Sequence, residues 1–86
     1  MTNEDLEQII LNAGFEDIIL FDNYAYETAF IGISHDNRAV YDYDAMVTYL
    51  MDKENMSADE AVEWIEYNTI RALPYVPNSP IIVYQL

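Results

Sequence analysis

Cysteine is absent from this chain, so neither a disulfide nor a thiolate zinc site braces its core. Glycine occurs only at Gly14 and Gly32, which leaves nothing from which to build a glycine-rich phosphate loop. Basic residues are almost as scarce: Arg38, Lys53 and Arg71 face 16 Asp and Glu, for a formal net charge of −13. That imbalance disfavours direct binding to DNA, RNA or anionic lipid and attracts a basic partner. It also keeps a small protein dispersed, and solubility alone accounts for much of it. No apolar run approaches the roughly 18 residues of a membrane span. The acidic N-terminal stretch MTNEDLEQ lacks the basic region of a signal peptide. A soluble, cytoplasmic protein is the expectation.

Against these absences stands a generous supply of apolar side chains. With 52% hydrophobic and 14% aromatic residues, the chain is too apolar to be a disordered acidic tail. Its 86 residues make one domain.

TNEDLEQIILNAGF reads as a helix. Thr2 or Asn3 serves as its cap, and Glu4 and Asp5 complement the first turn. Leu6, Ile9, Ile10 and Ala13 form its apolar stripe, and Gly14 suits the position just past the end. EDIILF reads as a short buried strand ended by Asp22 and Asn23. AFIGIS and RAVYDY flank HDN and predict a hairpin. A two-residue turn at Asp36-Asn37 pairs His35 with Arg38, Ile33 with Val40 and Ile31 with Asp42, leaving Phe30 opposite Tyr43 and Gly32 opposite Tyr41.

Tyr43, Met46, Val47 and Leu50 then change to helical spacing. In SADEAVEWIEYNTIRAL, Ser57 and Glu60 match a capping box, Val62, Ile65, Thr69 and Ala72 form an inner stripe, and Pro74 ends the helix. IIVYQL closes the chain as a strand whose slot in the sheet is open. The expected fold is α+β, a small, mostly antiparallel sheet with helices on one face, in the order α-β-β-β-α-α-β.

The stretches FIGISHDNRAVYDYDAM and TYLMDKENMSADEAVEWIEYNTIRALPYVPNSPIIVYQL, with YNTIRALPY as their most specific run, resemble a family of short acidic proteins of Gram-positive bacteria for which no activity is known. The resemblance implies a bacterial or mobile-element origin and carries over no functional residue.

Sites with chemistry are few. Tyr41-Asp42-Tyr43-Asp44 brings two carboxylates to i and i+2, a candidate Mg²⁺ pair. Such sites also borrow phosphate or more distant oxygens, and no third ligand follows at a suitable spacing. A strand handing over to a helix capped by Asp42 or Asp44 explains the same residues, a role that stabilises by about 1 kcal/mol. Ser34, His35 and Asp36 are consecutive, and adjacent turn residues diverge rather than converge as a catalytic triad must. No catalytic, cofactor or metal residue is therefore assigned.

The long helix offers the better-defined surface. Asp59, Glu63 and Glu66 lie along its outer side with Tyr67 beside them, the footprint of a basic protein partner. A plain solvated helix face accounts for the same pattern. Tyr24, Tyr26 and Tyr75 fall in expected loops as further contact residues. The expected function is a non-catalytic protein-binding module, in its sharpest form a nucleic-acid mimic that inhibits a basic partner. The alternative is an assembly protein acting as a homodimer through its tyrosines, and a small enzyme ranks last.

Overall fold

The computed structural model describes residues 2–22 and 24–86. Asn23, the expected strand terminator, lies outside them. The fold is α+β. Helix α1 (Asn3–Asn12) is followed by an irregular segment and a short 3-10 turn at Glu27–Ala29. Strands β1 (Phe30–Ile33) and β2 (Ala39–Asp42) come next, then α2 (Tyr43–Glu54) and α3 (Ala58–Trp64). A π-helical turn (Ile65–Thr69) and a 3-10 stretch (Ile70–Tyr75) lead to β3 (Ile81–Val83).

Each helix starts where the sequence supplies an acceptor. Thr2 caps α1 and its N–H is bonded in return by Asp5, while the other expected cap, Asn3, reaches across to the carbonyl of Phe21 at 2.7 Å. At the far end Gly14 takes φ 95°, and Phe15 N–H bonds Ile10 C=O at 3.1 Å, closing a Schellman motif. The buried stripe of α1 is narrower than expected: Leu6 and Ile10 are buried, whereas Ile9 and Ala13 are exposed.

The EDIILF strand does not form. Asp17 adopts φ 59°, which breaks the extended backbone, yet Ile18, Leu20 and Phe21 still pack against the core. An apolar run reports burial, not strand pairing. The backbone of Phe21 is satisfied by side chains instead, its N–H donating to Tyr41 Oη at 3.4 Å and its C=O accepting from Asn3.

The hairpin is present with a different register. Ser34 N–H bonds Arg38 C=O at 2.8 Å, so the loop is the three residues His35–Asn37, with Asn37 at φ 62°. Ile33 consequently faces Ala39, Gly32 faces Val40, and a bulge at Ile31 brings Phe30 opposite Tyr41. The two-residue turn fails because Ser34 Oγ accepts the Arg38 N–H at 3.0 Å and donates to Asp36, which rewards the longer loop. The sheet is mixed rather than mostly antiparallel. β3 lies parallel to β2, Val40 opposite Ile81 and Asp42 opposite Val83, giving the order β1-β2-β3 among the described residues. Parallel neighbours need a long crossover, and α2, α3 and the helical turns after them supply it.

Ala39 and Tyr41 on one face of β2 join Met46 and Leu50 of α2, Ala61 of α3 and Ile65 at the start of the π-helical turn in one buried cluster. Of the expected stripe, Ile65 is buried and Thr69 half-buried, whereas Val62 is 39% exposed and Ala72 is also outside; Ala61 takes the inward position instead. Pro74 does not end the helical path either, because the chain has already tightened to i→i+3 bonding and continues to Tyr75.

Burial pushes the phenols of Tyr26, Tyr43 and Tyr49 above their ordinary value of 10.0, and that of Tyr41 up to about 12. The charge of Glu66 adds to the effect at Tyr43 and that of Glu27 at Tyr49. The unfolded chain releases these protons first. Their contribution to stability is therefore intact below pH ~10 and is lost as pH rises toward ~12. Far-UV circular dichroism should show unfolding in that window, in step with a steep rise in tyrosinate absorbance. A gradual absorbance rise with unchanged dichroism would contradict it.

Candidate functional site

The helical run from residue 58 onward is anchored at its start. Ser57 Oγ accepts the Glu60 N–H at 3.2 Å, and Glu60 Oε1 accepts the Ser57 N–H at 3.0 Å. This bonding holds the Glu60 carboxyl below the usual carboxylate range. With Ala61 and Ile65 turned inward, Asp59, Glu63, Glu66 and Tyr67 are all exposed.

Asp59, Glu63 and Glu66, expected along one side with Tyr67 beside them, do not share one setting. At Ile65 the bonding widens from i→i+4 to i→i+5, which offsets every later side chain from the α-helical pattern. Glu63 and Tyr67 share a shallow hollow of about 440 Å³ with Glu60, Trp64, Met56 and Asn68. Asp59 stands outside it. Glu66 is turned toward the start of α2, where its Oε1 accepts the Tyr43 hydroxyl at 3.4 Å. Adjacent residues on a helix point about 100° apart, so Glu66 and Tyr67 already diverge, whereas Glu63 and Tyr67 share a side at i and i+4.

Aromatic rings form the wall of the hollow and its support. Half-buried Trp64 lies with its ring centroid 5.0 Å from that of Tyr24, and Tyr24 lies 6.4 Å from Tyr26. Tyr26 in turn meets Phe21 at 5.6 Å and Tyr49 at 5.3 Å, and Phe21 meets Tyr41 at 4.7 Å. The rings thus link the hollow to the sheet. Tyr26, expected as an exposed loop contact, is only 1% exposed, because the left-handed backbone at φ 49° folds its ring into the core. Its hydroxyl shares a hydrogen bond with Thr69 Oγ1 at 3.3 Å. Tyr24 is half-buried, and Tyr75 is exposed as expected.

The Arg71 guanidinium sits 5.8 Å from the Tyr67 ring centroid. An exposed pair of this kind stabilises by roughly 0.5–1 kcal/mol. Tyr67 therefore already accepts a guanidinium from its own chain.

The other candidates resolve into structural roles. Asp42, not Asp44, caps α2: Ala45 N–H donates to its Oδ2 at 2.9 Å and Gln85 N–H to its Oδ1 at 3.2 Å. Both carboxylate oxygens of Asp42 thus face backbone donors inside the fold, while Asp44 is exposed. Among the described residues, no three His, Asp and Glu side chains gather where they could hold a metal ion. Ser34 bonds Asp36, holding that carboxyl below its ordinary range, and Asp36 lies 3.7 Å from Arg38. His35 is exposed at the tip of the same loop. No helix among the described residues is long and apolar enough to cross a membrane.

What the site offers is a carboxylate-rimmed hollow with aromatic walls, a chemistry complementary to a cationic side chain. The chain matches no known protein family, no curated protein and no solved structure.

Proposed function

We propose that this chain is a cytoplasmic, non-catalytic binding module of bacterial or mobile-element origin that engages a basic protein, occupying the surface its partner would offer to a nucleic acid. The observation that carries this reading is the hollow beside Glu60 and Glu63, walled by Trp64 and Tyr67, in a chain of net charge −13. The capping box holds one carboxylate in place before any partner arrives, which lowers the ordering cost of binding. Long-range attraction by the whole acidic surface speeds the encounter, and the hollow then takes one lysine or arginine side chain. The Arg71–Tyr67 contact is the same interaction made within the chain.

Proteins captured from a bacterial lysate on the immobilised chain and released by salt supply the partner for a kinetic test. Reversal of Glu63 and Glu66 together to lysine should slow association severalfold or more and flatten its salt dependence. Glu63→Lys alone should account for most of the affinity loss, because Glu66 is engaged with Tyr43. An unchanged rate and an unchanged salt slope in the double reversal would reduce this face to a solvated surface.

A further inference from the structure

We infer that β3 is a self-association strand: a second copy of this chain pairs its own Ile81–Val83 segment antiparallel to the open side of β3 and seats its Tyr84 in the groove alongside. Three observations converge on this face. First, among the described residues β3 pairs with β2 and no other strand, which leaves the backbone groups of its other side without a strand partner. Proteins blunt such edges with charges or bulges. The opposite edge, β1, has a bulge at Ile31, whereas β3 carries neither device and has only Pro80 ahead of it.

Second, a groove of about 510 Å³ is lined by Ile81 and Ile82 of β3, by Arg38 and Ser79, and by Tyr43 and Tyr84. Ile70, Leu73 and Pro74 make its far wall. Arg38 is not free to recruit an anion there, since its Nε donates to Ser79 C=O at 2.7 Å and its Nη2 to Ser79 Oγ at 3.3 Å. Tyr84 is 65% exposed, with its ring centroid 5.0 Å from that of Tyr43.

Third, charge selects the occupant. Residues 72–86 contain no charged side chain, although the chain has 16 acidic and three basic residues. A basic partner gains nothing from this segment, and neither does an anionic one. A neutral, apolar, extended segment fits it, and residues 79–84 of the chain are such a segment. Two copies repel one another wherever their acidic surfaces meet, so the uncharged face is where they approach at least cost. Antiparallel pairing of the same strand from both copies gives a closed two-fold dimer. Glu66, beside Tyr43 of the groove, and the net charge of both copies still oppose it. Salt should therefore strengthen this association, the opposite of its effect on a complex with a basic protein. The two can thus fail independently.

Light scattering on the full chain, over protein concentrations up to about 1 mM, reads the result. The dimer dissociation constant should fall severalfold or more between ~0.05 M and ~0.5 M NaCl as the Debye length shortens to a few Å. Tyr84→Glu, checked for folding by circular dichroism, should weaken the dimer at least about tenfold. Tyr75→Glu adds the same charge to the same uncharged segment outside the groove, at a residue 87% exposed, and should change it less than about threefold. Should Tyr84→Glu fail to fold, hydrogen exchange on the wild-type chain decides: protection of the amides of residues 81–84 should rise with protein concentration. A monomeric mass at every salt and concentration overturns the inference. So does concentration-independent exchange, an equal loss in both variants, or capture of a neutral apolar peptide without self-association.

Discussion

Asp42→Ala should lower stability by about 2–4 kcal/mol, a fall in melting temperature on the order of 10–25 °C for a domain this small. The side chain does two jobs from a site only 8% exposed. Its Oδ2 caps α2 through Ala45 N–H, and its Oδ1 holds Gln85 N–H just beyond β3. Loss of the cap costs about 1 kcal/mol, and loss of a hydrogen bond to a charged acceptor costs roughly 1.5–3 kcal/mol. Asp42→Asn keeps an acceptor and should recover much of the loss. Asp44→Ala removes an exposed carboxylate that caps nothing and should stay within about 0.5 kcal/mol of wild type. Urea denaturation ranks the three. Amide exchange adds a specific signature, with protection falling at residues 81–85 before it falls in α1. Equal losses in the Asp42 and Asp44 alanine variants would put the cap on the wrong residue.

Tyr26→Ala should be at least as damaging, at about 3–5 kcal/mol, the usual cost of truncating a fully buried aromatic ring. The ring touches Phe21, Tyr24 and Tyr49, and through Tyr24 it braces Trp64 at the hollow. A positive φ of 49° at a bulky residue is uncommon and costs on the order of 1 kcal/mol, so dense packing must hold it there. Tyr26→Phe keeps the ring and loses the hydroxyl, which bonds Thr69 and also meets Trp64, for about 0.5–1.5 kcal/mol. The sole tryptophan makes the experiment easy to read. Its emission should shift to the red at a much lower urea concentration in Tyr26→Ala than in wild type. A small loss in Tyr26→Ala, similar to that in Tyr26→Phe, would mean that the ring is not the support the packing describes.

Some of this was legible from residues close together in the chain, because the physics there is local. The Ser57–Glu60 capping box needs only two side chains three residues apart, and both of its bonds form. Gly14 sits past α1 with the positive φ its lack of a Cβ permits. Met46 and Leu50, one helical turn apart, are both fully buried as their spacing implies. The acidic excess and the uncharged segment from residue 72 onward are properties of composition, which folding cannot alter.

Other outcomes depended on partners distant in sequence. Residues 16–21 form no strand once Asp17 turns to positive φ, and the backbone of Phe21 is instead satisfied by Tyr41, 20 residues away, and Asn3, 18 residues away. Which aspartate caps α2 was settled with Gln85, 43 residues from Asp42. The slot of β3 beside β2 and the inward turn of Tyr26 likewise required the assembled core, since neither is favoured by neighbouring residues. At the candidate site, local chemistry put Asp59, Glu63, Glu66 and Tyr67 on an exposed helical surface. Glu66 and Tyr67, neighbours in sequence, then point to different sides of the helix, and the fold decided what each side meets: the hollow for Glu63 and Tyr67, and Tyr43 for Glu66.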